Sequence, residues 1–179
     1  MHYIIINGKA GVGKDTFVKL FKDYIGIPFV KEVDSVEVVK KAAKLFGWKG
    51  DKTPRNRKFL ADLKALTDEW DNCSIKHIIN SCESFKRELE AFELDSRGWI
   101  FIHCREPKNI ALLAEKLNAI TLYIDRDVEN YSPSNDADAF TESYQYDYHI
   151  SNNGTIEELN QKVKDFYRCI NDNQERGLL

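Results

Sequence analysis

The nine residues Gly8 to Thr16, GKAGVGKDT, place three glycines, a lysine, a carboxylate and a hydroxyl within one short stretch. Gly8, Gly11 and Gly13 permit a tight turn and let backbone N–H groups approach an anion closely. Lys14 adds a mobile cation, and the spacing Gly8-x-x-x-x-Gly13-Lys14 fits a loop that cradles phosphate groups. Asp15 stands where the common pattern has the serine or threonine that touches magnesium. Its carboxylate could hold Mg2+ directly or through water, because magnesium takes oxygen ligands and keeps several waters. The Thr16 hydroxyl follows it. An ordinary alternative is that Asp15 caps a helix.

The elements around this stretch decide whether the loop can work. HYIIIN (2–7) is a continuous apolar run of the kind buried on both faces of a sheet. Phe17, Leu20, Phe21 and Tyr24 then recur at helical spacing until Gly26 and Pro28. Strand, loop, helix is the setting a phosphate loop requires. The helix N-terminus contributes its positive end to the same point.

The alternation continues. PFVKEV (28–33), WIFIHC (99–104), AITLYI (119–124) and YDYHI (146–150) read as further strands. Between them lie helical stripes: Val36, Val39, Ala43 and Phe46; Phe59, Leu63, Leu66 and Trp70; and Ile75 through Phe92. Later come Ile110 to Leu117 and a last helix from Ile156 to Ile170. Thr155 and Glu158 form a capping box at the start of that last helix. Trp48, Trp70 and Trp99 are assigned to packing. Such alternation predicts an α/β fold with a mainly parallel sheet covered on both faces. Ligands of these sheets bind at the carboxyl ends of the strands.

Composition bounds the partners. The 179 residues are 42% hydrophobic and 31% charged, with a formal net charge of -3 and a pI near 5.9, so no basic field exists for a nucleic acid. The four cysteines are scattered and read as reduced thiols, mostly small buried hydrophobes. No basic leader precedes a long apolar run, and nothing approaches the ~18 apolar residues of a membrane span. A cytoplasmic protein with no membrane partner is expected.

The stretch GKAGVGKDT resembles the phosphate loop of phage-type deoxynucleoside monophosphate kinases, in which Lys-Asp-Thr replaces Lys-Ser or Lys-Thr. VDSVEVVKKAAKLFGWKGDKTPRNRKFLADLKALTDEW (33–70), FIHCREP (101–107) and YDYHISNNGTIEEL (146–159) are similar to segments of the same group. The resemblance implies a three-layer P-loop fold over 1–179, with a five-stranded parallel sheet of order 2-3-1-4-5. It further implies a helical acceptor region at about 34–95 and a lid at about 125–144. ATP with Mg2+ would sit on Gly8, Ala10, Gly11, Val12, Gly13, Lys14, Asp15 and Thr16, with Asn153 and Gly154 near the adenine. Asp15 and Thr16 are the metal candidates.

By the same resemblance, a small nucleotide acceptor would meet Asp34, Ser35, Arg55, Arg57, Lys58 and Arg105. Lys14, Arg105 and Arg126 would carry the transfer, Arg126 from the lid. A homodimer is an open assembly state. Residue chemistry leaves blander readings beside these: Arg55, Arg57 and Lys58 as a solvated face, Arg105 in a structural salt bridge, and His103 as a packed or hydrogen-bonded histidine. The third strand ends in His103 and Cys104 rather than an acid, with Glu106 the nearest carboxylate, and acids follow Arg126. A kinase for another small metabolite therefore stays open, as does a nucleotide-binding regulatory module without transfer activity.

Overall fold

The computed structural model describes residues 1–51, 53–94, 97–127 and 143–175. Most of the expected lid, 128–142, lies outside the described residues. Five strands form one sheet: β1 (His2–Asn7), β2 (Val30–Asp34), β3 (Trp99–His103), β4 (Ile120–Asp125) and β5 (Tyr148–Ser151). Their order is β2-β3-β1-β4-β5 and every pairing is parallel. This is the α/β architecture that the alternation predicts, in the strand order that the resemblance implies.

Among the described residues, six helices connect and cover the strands: α1 (Lys14–Ile25), α2 (Glu37–Leu45), α3 (Pro54–Asp71), α4 (Cys73–Glu90), α5 (Pro107–Leu117) and α6 (Ile156–Glu175). The period-2 alternation of β1 divides the core. Ile4 and Ile6 face α1 and α6, joining Phe17, Phe21, Trp99, Phe101 and Phe166. Ile5 faces α4 and α5, joining Ile78, Ile100, Ile102, Ile110 and Leu113. Among the described residues, no helix is long and apolar enough to cross a membrane.

Strand boundaries differ by one or two residues for local reasons. Gly26 and Pro28 set a short 3-10 turn over Ile27–Phe29, so β2 begins at Val30 instead of 28. Ahead of β5, Asp147 Oδ2 accepts hydrogen bonds from Thr121 N and Oγ1, both 2.8 Å, while Asp147 N donates to Thr121 Oγ1 at 2.9 Å. That clamp occupies the segment where an earlier strand start was expected. At its far end β5 is an outer strand, and the Lys162 ammonium of α6 donates to the Ser151 carbonyl there.

Several helical stripes fail at an end, one of them at the start of α6, where Ile156 is 49% exposed. Phe46 is 72% exposed because α2 stops at Leu45, and Phe92 is 75% exposed because α4 stops at Glu90. On α3, Leu66 and Trp70 are 65% and 85% exposed rather than packed inward. Trp48 lies in the loop after α2, half-buried, with its indole N–H on the Asp51 carbonyl at 3.2 Å. Only Trp99 of the three tryptophans belongs to the core. The cysteines are all free, with Cys82 and Cys104 buried, Cys73 half-buried and Cys169 exposed. Burial pushes the Cys82 and Cys104 thiols up to about 12, so both stay protonated.

Phe21 concentrates the α1-side core. It is fully buried and its ring meets those of Trp99, Phe101, Phe166 and Tyr167. Replacing Phe21 by Ala is expected to cost about 3–5 kcal/mol in denaturant unfolding. A loss under about 1 kcal/mol would show that this ring cluster does not anchor α1.

Candidate functional site

The phosphate-type loop leaves the sheet between β1 and β4 with no room to spare. At Gly8, φ is 143° and an added Cβ would stand 2.1 Å from the Ile124 carbonyl oxygen, so no side chain fits. Gly11 and Gly13 have φ of 81° and 100°, in the left-handed region where glycine carries no steric penalty. Gly13 is the cap of α1, and Phe17 N donates to its carbonyl at 2.8 Å. Asp15 therefore lies inside the first turn and not at the cap position, where its charge still suits the helix dipole. Asp15, Thr16 and Ala10 are exposed, while Val12 is buried under the loop. Lys14 folds back over the loop, its Nζ donating to the carbonyls of Gly8 at 2.5 Å and Lys9 at 2.7 Å.

Two buried asparagines hold this geometry, and the sequence reading passed over both. Asn7 is fully buried at the end of β1. Its Oδ1 accepts from Gly8 N at 2.8 Å, and its Nδ2 donates to the Tyr146 hydroxyl at 2.7 Å and toward the Arg105 carbonyl at 3.4 Å. Burial pushes the pKa of the Tyr146 hydroxyl upward, so it remains a neutral partner. Asn152 follows β5. Its N–H donates to the Asp125 carbonyl at 2.7 Å and its Nδ2 to the Val12 carbonyl at 2.8 Å. A Cβ on Gly13 would lie 2.4 Å from that same Nδ2. The signal in the sequence was a polar amide directly after a buried apolar strand, where an unpartnered group would be costly.

The neighbouring expected residues are placed as follows. Asn153 is exposed and pairs with Asp127, accepting from its N–H at 2.8 Å and donating to its carboxylate at 2.7 Å. This joins the segment after β4 to the loop before α6. Gly154 sits under the capping box, in which Thr155 N donates to Glu158 Oε2 at 3.0 Å and Glu158 N to Thr155 Oγ1 at 3.3 Å. Arg126 is exposed at the start of the expected lid.

On the β2–β3 side, Asp34 ends β2 with its Oδ1 accepting from Val36 N at 3.0 Å and its Oδ2 from Lys40 at 2.7 Å. Ser35 is buried, its N–H on the His103 carbonyl at 3.1 Å. Arg55, Arg57 and Lys58 are exposed near the N-terminus of α3, and Lys58 pairs with Asp62 one turn on at 2.7 Å. The structure thus gathers the loop residues at the crest and leaves this basic run on a solvated helix face. Arg105 is half-buried just past β3. Glu106 reaches α3, with Oε1 3.0 Å from Lys64 Nζ, and its Oε2 lies 3.8 Å from Cys104 Sγ. Among the described residues, no three His, Cys, Asp or Glu side chains group to hold a metal unaided.

His103 is a hydrogen-bonded histidine, its Nε2 3.1 Å from Glu32 Oε2, while Lys22 reaches Glu32 Oε1. The bond from His103 draws the Glu32 carboxyl from an ordinary 4.5 down to about 2, against burial and with help from Lys22.

No protein-family model and no curated protein sequence matches the chain. A gluconokinase from Sinorhizobium meliloti 1021 is 12% identical with a TM-score of 0.56, the match covering 98% of this chain and 97% of that one. A shikimate kinase from Aquifex aeolicus vf5 is 15% identical with a TM-score of 0.49, covering 96% and 98%. A thymidylate kinase from Ehrlichia chaffeensis is 16% identical with a TM-score of 0.48, covering 93% and 98%. The gluconokinase match, together with the 2-3-1-4-5 sheet, shows that this chain shares that protein's three-layer α/β fold.

The Glu32 pair has a signed consequence for stability. A carboxyl depressed on folding stabilises above its unfolded value and loses that contribution as pH falls through its folded value. The stability gap between the wild type and Glu32→Gln is therefore expected to close between pH 4.5 and about 2. Parallel unfolding curves for the two proteins across that window would contradict the pairing.

Proposed function

We propose that the protein is an ATP-dependent phosphotransferase whose acceptor is a nucleoside monophosphate, a deoxynucleoside monophosphate first. The observation that carries the reading is the glycine loop at the carboxyl end of β1, running into the N-terminus of α1 with Lys14 folded over it. Backbone N–H groups, a helix N-terminus and one mobile ammonium are the donor set that a polyphosphate needs. The loop glycines, whose places admit no Cβ at Gly8 and Gly13, keep the backbone bare toward such a ligand.

In this reading the loop from Gly8 to Thr16 fixes the donor phosphates, and Lys14 exchanges its carbonyl partners for phosphate oxygens. Mg2+ would neutralise the phosphate charge, and exposed Thr16 and Asp15 are the residues that would hold it. Phosphoryl transfer asks chiefly for alignment and charge neutralisation. A monophosphate acceptor is already an oxyanion near neutral pH, its second pKa being about 6, and so needs no base. Arg105, beside the loop through Asn7, suits the acceptor or transferring phosphate, because a guanidinium fork matches phosphate oxygens. Arg126 stands at the lid and would supply the arginine that closes on the transition state, an effect on the order of 10³-fold or more.

A second reading, a hydroxyl-bearing metabolite as acceptor, is favoured by the carboxylate of Asp34 at the end of β2, where it could take a proton. A monophosphate acceptor instead leaves Asp34 to position Lys40.

The deciding experiment is a transfer screen with Mg-ATP and each ribo- and deoxynucleoside monophosphate. Acceptor-stimulated ADP formation is expected with one or two of them, falling at least about 100-fold in Lys14→Ala. No stimulated turnover with any monophosphate would remove this reading. Once an acceptor is found, Asp34→Asn separates the two chemistries. It is expected to raise the acceptor KM with kcat within about threefold, whereas a kcat loss of about 100-fold at unchanged KM would assign Asp34 as the base of a hydroxyl kinase.

A further inference from the structure

Helix α3 is held in an unusual way. It is 18 residues long, and its one buried side chain is a lysine, Lys64, 8% exposed. Leu66 and Trp70, which share helical spacing with Leu63, point outward. An amphipathic helix normally docks through an apolar stripe. Here the deepest contact is ionic.

Lys64 Nζ lies 3.0 Å from Asp68 Oδ2, one turn along α3, and 3.0 Å from Glu106 Oε1, which belongs to the loop between β3 and α5. Burial alone would lower the ammonium's pKa. The pKa is raised nonetheless, because the Glu106 and Asp68 carboxylates outweigh that cost. Asp68 is fixed in turn, its Oδ1 accepting from Ser74 N at 2.8 Å at the start of α4. Glu106 directly follows Arg105, whose carbonyl faces the Asn7 amide that also holds Gly8. A connected path runs from α3, through Lys64 and Glu106, to Arg105, Asn7 and the phosphate loop.

We infer that Lys64 is a positioning residue. Its ion pair with Glu106 latches α3 to the Arg105 loop and so sets Arg105, the proposed acceptor residue, against the phosphate loop. An ion pair with a buried ammonium and a half-buried carboxylate returns little net stability once desolvation is counted, so its value lies in fixing one arrangement. Lys64 orients Glu106, and through the backbone Arg105, without touching substrate. What the latch serves rests on the phosphotransfer reading; that the latch exists does not.

The test uses the full chain with Lys64→Met, Lys64→Arg and Glu106→Gln. Methionine keeps the apolar stem and removes the charge, whereas arginine keeps the charge. Amide hydrogen exchange, read without any substrate, is expected to quicken at least about tenfold across α3 and 104–107 in Lys64→Met, to do so in Glu106→Gln, and to return toward wild type in Lys64→Arg. Unchanged exchange in folded Lys64→Met would overturn the latch. Should Lys64→Met not fold, exchange in Glu106→Gln decides by the same criterion.

With the acceptor from the transfer screen, Lys64→Met is expected to raise the acceptor KM about tenfold, with the ATP KM within about twofold. Equal effects on both constants, or none, would sink the positioning role. If the wild type transfers phosphate to no acceptor, the phosphotransfer reading fails by itself, and the exchange data still decide the latch.

Discussion

The crest of the sheet depends on one close approach, the passage of the Gly8 backbone beside the Ile124 carbonyl, where a Cβ would stand 2.1 Å from oxygen. Everything that could bind a phosphate follows from it. The chain can turn there, beside β4, only without a side chain at Gly8. Asn7 then satisfies the first N–H of the turn from below, and Asn152 ties the loop's middle to the end of β5. The apolar strands beneath matter chiefly because they fix β1 and β4 firmly enough for such a gap to persist.

Many of the charged side chains are paired. Lys40 meets Asp34, Lys58 meets Asp62, Lys64 meets Asp68 and Glu106, and Glu32 meets Lys22 and His103. Exposed pairs of this kind contribute little, on the order of 0–1 kcal/mol. The less exposed Lys64 differs, because its bond to Glu106 ties α3 to the loop between β3 and α5. The same pairing limits how attractive the surface is to polyanions at large, in keeping with the net charge of -3.

The parts of the fold legible in the sequence are those set by short-range rules. Buried apolar runs mark β1, β3 and β4, and glycine spacing marks the loop, because backbone sterics there admit few alternatives. The capping box at Thr155 and Glu158 was visible for the same reason. Helix α3 was misread because periodicity says which residues share a face and not whether that face is covered. Its stripe of Leu66 and Trp70 lies outward, and the buried position belongs to a lysine whose partner, Glu106, is 42 residues away. Asn7 and Asn152 escaped notice likewise. A buried amide acquires its meaning from partners distant in sequence, Tyr146 for the one and Val12 for the other.

The outer strand β5 carries a consequence of a different kind. A sheet edge exposes backbone groups that can pair with a strand from another chain. At β5 the Lys162 ammonium of the chain's own last helix already occupies the Ser151 carbonyl. One rung of that edge is thereby taken, and with a charged group that an incoming strand would have to displace. Growth of the sheet from molecule to molecule is discouraged on this side. Any association between copies is then steered toward helix faces, where side chains rather than backbone choose the partner.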